Sequence, residues 1–279
     1  MNTFISQYCS VLTSSLLLTA IFTLMELVLP AQAQKPLSSR AFNLAYYPFL
    51  LAALLGLQFL ATPLFLWLLH ITGGGLLPRL MSPPTTLLSQ SLFAIGFAFV
   101  WDVWQYWIHR WQHTSRFLWQ THKLHHADKA MNTTTHARHH VTNYAVFIIL
   151  YAPVLILFGS ISPHAVAAFI MFQLWGFVNH ANVRIRLGPA TVAIAGPQWH
   201  RIHHSVKPEH HGRNFATFFP LIDVIFGTYY APAPNEYPET GLPEGASTTD
   251  LREATISPML AWWGQWRRRS TRSTSAGEE

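Results

Sequence analysis

Charge is what this chain has least of. Only 11% of its 279 residues are Asp, Glu, Lys or Arg, against about 25% in a soluble globule. No charged residue occurs in 1–25, 41–78, 80–101 or 141–183. Each of these gaps reaches the roughly 20 apolar residues that cross a bilayer core, so a soluble globular protein is excluded and a polytopic membrane protein predicted. Cysteine is almost missing as well. A lone Cys9 excludes an intrachain disulfide and any cysteine-built metal or iron–sulfur site, and it reads as an ordinary apolar residue. There is no Gly-x-Gly-x-x-Gly, no evident haem-binding segment and no long internal repeat.

The formal net charge is +6. Its Lys and Arg flank apolar runs, so membrane topology accounts for them and nucleic-acid binding is not expected. The first apolar run covers about 11–29. Ala31-Gln32-Ala33 mimics a cleavage site, but no positive region precedes it, so a retained anchor helix is expected. Further spans are read at about 46–71 and 86–108, separated by a Gly/Pro turn over 72–84. Residues 109–143 are polar. An apolar hairpin follows, with arms at 144–158 and 165–178 about a turn at 159–163; short arms leave open tilted spans or a re-entrant hairpin. With three spans before His109 and a hairpin after Asn143, all the basic segments fall on one side, read as the cytoplasm with the N-terminus outside. Beyond the polar part 184–230 come a Pro/Gly/Glu loop at 231–249, a short amphipathic surface helix at about 256–266 and a basic tail expected to be disordered.

What is abundant is histidine, 16 in all. His109-x3-His113 and His122-x2-His125-His126 stand close together, and His200-x2-His203-His204 repeats the second spacing. Residues i, i+3 and i+4 share a helix face, so each run is expected to present its imidazoles together, with His125 on the face of His122 and His126. Imidazole binds zinc, iron, copper or nickel, and eight imidazoles exceed one four-coordinate ion, so two neighbouring metals are predicted. Asp102, seven residues before His109, is read either as a carboxylate orienting an imidazole or as a polar residue at the membrane boundary.

The stretches DVWQYWIHRWQH, LWQTHKLHHAD, FVNHANVR, WHRIHHS and RNFATFFPLIDVIFGTYY, in this order, resemble the fatty acid hydroxylase / sterol desaturase superfamily of membrane di-iron oxygenases. The resemblance covers about 102–230. It implies metal ligation by His109, His113, His122, His125, His126, His140, His180, His200, His203 and His204. His140 matches the histidine of the family's R-x-H-P element together with Arg138, although Val141 replaces the proline. His136 and His139 are additional imidazoles, His210 and His211 fall outside the pattern, and Asp223 is expected to hold the cap.

The fold class expected is all-α: a polytopic membrane helix bundle with a cytosolic helical cap carrying a histidine-rich dimetal site. Residues 1–108 are read as transmembrane helices, 109–230 as the catalytic domain including the hairpin 144–179, and 231–279 as the C-terminal loop, surface helix and tail. The resemblance implies two iron ions, O2 as cosubstrate, and hydroxylation or desaturation of an unactivated C–H bond in a lipid drawn from the bilayer, such as a sterol, fatty acyl chain or carotenoid. Hydroxylation is favoured because it needs one hydrogen abstraction. A separate reductase, ferredoxin or cytochrome would supply electrons. Two other classes compete: a histidine-lined metal-ion transporter, which would place ionisable residues within the spans, and a metal-binding scaffold without turnover.

Overall fold

The computed structural model describes residues 2–33, 36–80, 85–159, 163–245 and 249–275. The chain is all-α, and among the described residues it forms no strand, only the isolated bridges Pro30–Val183 and Ser205–Thr240. Long apolar runs give α1 (Asn2–Val28), α2 (Leu37–Ile71), the short α3 (Leu76–Leu80) and α4 (Leu87–Thr114). The cap helix α5 (Trp119–His126) is followed by the hairpin helices α6 (Val141–Phe158) and α7 (Pro163–His180). Short α8 (Pro197–His203) and α9 (Leu221–Ile225) complete the cap, and α10 (Leu251–Ser275) packs beside it. Of the turns expected at 72–84 and 159–163, the first contains α3, and residues 81–84 and 160–162 lie outside the described residues.

Among the described residues, four helical segments are long and apolar enough to cross a membrane: 4–28, 37–80, 87–114 and 141–158. The protein is an integral membrane protein. Helix α4 matters most for the site. Its 28 residues extend about 42 Å at 1.5 Å each, beyond the roughly 30 Å hydrocarbon core. Where the sequence reading ends the span at residue 108, the helix continues unbroken to Thr114 and carries His109 and His113 out of the bundle on its last turns. Helix α10 likewise exceeds the expected 256–266. It runs to Ser275 and takes in most of the tail expected to be disordered, because no proline or glycine after Gly264 interrupts it. Residues 276–279 lie outside the described residues.

Within the bundle, Phe97, Ala98 and Trp101 of α4 pack on Val154 and Phe158 of α6 and Phe172 of α7. A second core lies under the cap, where Tyr106 meets Trp199, Phe215, Ala216 and Ile222. Polar contacts join the two layers. Glu26, the first charged residue of the chain, is buried at the end of α1. Its carboxylate accepts the backbone N–H groups of Thr133 and Asn182, each at 2.7 Å, and pairs with Arg40 of α2. Asp128 in the cap accepts from Ser39 of α2 (2.7 Å) and Thr135 (2.7 Å), and Asn43 donates to Thr134 at 2.9 Å. The ends of α1 and α2 are therefore bonded to the polar segments that follow α5 and α7, at one end of the bundle.

Removing one member of a buried, hydrogen-bonded ion pair strands the other and costs on the order of 3 kcal/mol. Glu26→Ala should lower the thermal midpoint of the detergent-solubilised protein by several degrees, whereas Cys9→Ser, exposed on the same helix, should leave it unchanged. Equal midpoints would remove Glu26 from its structural role.

Candidate metal centre

The histidines arrive from four helices. His109 and His113 leave the end of α4, His122, His125 and His126 belong to α5, His180 ends α7, and His200, His203 and His204 lie on α8 and its cap. They form two groups, His109, His113, His122, His126 and His203 in one, His125, His180, His200 and His204 in the other. In each, one ring nitrogen per residue lies within 4.8 Å of the others. The groups adjoin: the rings of His126 and His204 stack at 4.3 Å, and those of His122 and His125 meet at 5.0 Å.

The two His-x2-His-His motifs are used reciprocally. His122 and His126, four apart on α5, enter the first group while His125 between them enters the second. His200 and His204, four apart on α8, enter the second group while His203 enters the first. The sequence reading places His125 on the face of its neighbours. It faces the other group instead, because one residue advances about 100° around a helix.

Backbone carbonyls set the ring orientations. His109 Nδ1 donates to Phe215 O (2.8 Å), His180 Nδ1 to Gly176 O (2.7 Å) and His203 Nδ1 to Arg213 O (2.8 Å). Each bond places the ring proton on Nδ1 and leaves Nε2 as a bare lone pair. The accepting carbonyls near 213–215 belong to a segment held by two buried carboxylates. Asp102 accepts the N–H groups of Thr217, Phe218 and Phe219 at 2.7–2.9 Å. Asp223 accepts those of Phe215 (2.8 Å) and Ala216 (2.9 Å), together with the Thr228 hydroxyl. Asp102 thus touches neither an imidazole nor the boundary water: it anchors the cap, as Asp223 does.

Nine of the ten histidines singled out in the sequence meet here. His140 does not. It caps α6, its Nδ1 accepts from Thr142 and its Nε2 donates to Thr255 O at 2.9 Å, so both ring nitrogens are engaged. Its neighbour His139 takes the inner position, stacked on His125 at 4.2 Å with a buried, unpartnered Nδ1. Register at a helix start decides which of two adjacent histidines turns inward, and spacing alone carries no signal for it. Arg138 supports α5 from behind by donating to Leu124 O, and Arg201 ties α8 to Pro238 O and Gln32. His210 is buried 3.2 Å from Glu236, apart from both groups.

The donor set fits metal ions. Nε2 atoms approach at 3.0 Å in His109–His122, His125–His180 and His180–His200, and at 3.2 Å in His122–His126 and His200–His204. Two nitrogens about 2.1 Å from a shared ion stand about 3.0 Å apart at a right angle and about 3.4 Å at a tetrahedral one. Protons alone do not satisfy the arrangement. With His180 Nε2 bare, His125 and His200 would both have to donate to it, and the one proton on His200 Nε2 could not also serve His204. The Nε2 atoms of His113 and His203 are buried with no partner. Burial, then the neighbouring imidazoles, holds the pKa of His122, His125, His126, His200 and His204 well below the usual value, which keeps their lone pairs free at neutral pH.

The fatty acid hydroxylase family model matches residues 94–228, the last turns of α4 through the cap. This stretch, just under half of the chain, is a fatty acid hydroxylase domain. Alkylglycerol monooxygenase of Danio rerio is 33% identical to this chain over 129 residues, 46% of the chain and 28% of that relative. The Homo sapiens alkylglycerol monooxygenase is 31% identical over 163 residues, 58% and 36% of the two lengths. An ornithine lipid hydroxylase of Rhizobium tropici is 31% identical over 132 residues, 46% and 38%. The chain thus spans well under half the length of these relatives. No solved structure matches it.

Variants separate the two groups from His140. Metal content measured on purified protein should fall for His125→Ala and His203→Ala, one from each group, and stay at the wild-type level for His140→Ala, which should lose only stability. Equal metal in all three would remove the proposed division of ligands.

Proposed function

We propose that this chain is a membrane-bound, O2-dependent lipid hydroxylase in which His109, His113, His122, His126 and His203 hold one iron ion and His125, His180, His200 and His204 hold a second. The observation that carries this reading is the pair of adjoining, buried imidazole groups at one end of a bundle of apolar helices. Two further considerations favour iron. The donors are nitrogen throughout, which disfavours magnesium and calcium, and five donors in one group exceed the four of a structural zinc site.

When bound, such a centre supplies the activation of O2 needed to oxidise an unactivated C–H bond. The chain's own residues do the rest. The carbonyls of Phe215, Gly176 and Arg213 keep imidazole nitrogens aimed inward. Tyr106, Trp199, Phe215 and Ile222 exclude water from one side of the centre. The bundle brings a lipid chain to it from the bilayer. Hydroxylation is favoured over desaturation because the relatives named above are a monooxygenase and a hydroxylase of lipids, and they make a polar lipid with an alkyl chain the substrate class of choice. The active site belongs on the cytoplasmic side, with the basic segments, and the catalytic part is 109–230. Electrons would come from a separate reductase, ferredoxin or cytochrome, as the chain has no motif for a redox cofactor of its own. Transport of metal ions is disfavoured because the imidazoles lie at helix ends and in the cap, not along the spans.

The test is expression in a lipid-producing bacterium grown with iron and oxygen, followed by mass spectrometry of extracted lipids. A lipid gaining one oxygen, absent with His125→Ala, is the expected result. Loss of two hydrogens would make the enzyme a desaturase, and an unchanged lipid profile across ether, acyl and amino-acid lipids would overturn the oxygenase reading.

A further inference from the structure

Helix α10 shows its apolar residues on the side that faces away from the protein. Ala254 and Pro258 are buried, and Ala261, Trp262 and Gln265 half-buried, on the inward face. Trp262 stacks on Phe117 at 4.8 Å and donates to its carbonyl, while Gln265 donates to Arg116 O. Ile256, Met259, Leu260, Trp263 and Trp266 form the opposite stripe, spaced at i, i+3, i+4, i+7 and i+10, and are 36–64% exposed. At 100° per residue these five fall within about 120° of one another. A helix shielding a cap from water would turn polar residues outward, so this stripe requires an apolar cover.

Two observations identify the cover. The first is depth. Ala254 packs with Phe42, Tyr46 and Leu50 of α2 and against Val141 and Tyr144 of α6. These residues lie where two membrane helices leave the polar cap, so α10 starts at the level of the bilayer boundary. The second is charge. Arg267, Arg268, Arg269 and Arg272 follow the stripe, and no acidic residue occurs between Glu253 and Glu278. Tryptophan beside a basic run suits the headgroup region of an anionic leaflet.

We propose that α10 lies in the headgroup region of the leaflet adjoining the histidine cap, its stripe from Ile256 to Trp266 in the lipid of an anionic leaflet. This strap also bears on the histidine site: α10 packs on α5, which carries three of the imidazoles, and Thr255 O accepts from His140. The proposal holds whether or not the hydroxylase reading does.

The experiment places an environment-sensitive fluorophore at one position of the full chain. A Cys9→Ser background allows Trp263→Cys on the stripe, with Ser257→Cys, exposed beside it, as the aqueous control. Both proteins are reconstituted singly in nanodiscs of phosphatidylcholine with or without phosphatidylglycerol. The label at 263 should emit further to the blue than at 257, be quenched by lipids brominated near the headgroup, and resist aqueous iodide. The blue shift should grow with phosphatidylglycerol and shrink in high salt. Iodide quenching equal at both positions with no bromolipid quenching would overturn the proposal. So would protection at 263 that appears only when two copies share a disc, which would assign the stripe to a second copy of the chain. A wild-type thermal midpoint and a single monodisperse elution peak for both labelled proteins control for folding.

Discussion

Five backbone N–H groups on two buried carboxylates hold this structure to its purpose. Asp102, on a helix that crosses the membrane, and Asp223, in the cap, between them accept the amides of residues 215–219. An extended segment with unpaired amides would be costly to bury, and a carboxylate accepting two or three such bonds is among the stronger neutralising partners available. The consequence is positional. With 215–219 fixed to α4, the carbonyl of Phe215 stands over His109, and that of Arg213, two residues before it, stands over His203. Asn214 between them takes a left-handed conformation (φ 60°) suited to asparagine, and pairs with Tyr230 and Trp199. One short segment therefore orients imidazoles from two elements far apart in the chain.

The reciprocal use of the two His-x2-His-His motifs follows from the same economy. Residues four apart on a helix turn project together and the one between them projects elsewhere. Two short helices facing each other can therefore each give a pair to one centre and a single imidazole to the other. The arrangement joins α5 to α8 through both groups. It also leaves the ring nitrogens crowded, buried and short of protons, a state that a cation relieves and water does not.

The cap meets the bilayer along polar contacts that hydrocarbon would not tolerate unpaired. Glu26, Asp128, Asn43 and Ser39 satisfy one another or backbone amides where the spans end. Helix α10 adds a further attachment by packing on α5.

Composition and periodicity by themselves determined a good deal. Gaps without charge dictated helices able to span a bilayer, because hydrocarbon admits few other backbones, and the histidine spacing marked eight of the nine residues that converge, His180 being marked only by the family resemblance. The limits of that reading have physical causes. A hydropathy break at His109 marks where polar side chains begin, yet backbone hydrogen bonds carry α4 on to Thr114. Two adjacent histidines at 139 and 140 are equivalent in sequence, and only the cap geometry of α6 turns one inward and spends the other on Thr142 and Thr255. The partners of Asp102 lie more than a hundred residues away, and the assignment of His125 and His203 to opposite groups depends on how α5 and α8 face each other. Those choices belonged to the tertiary structure, because each is a contact between segments whose separation along the chain carries no information about their separation in space.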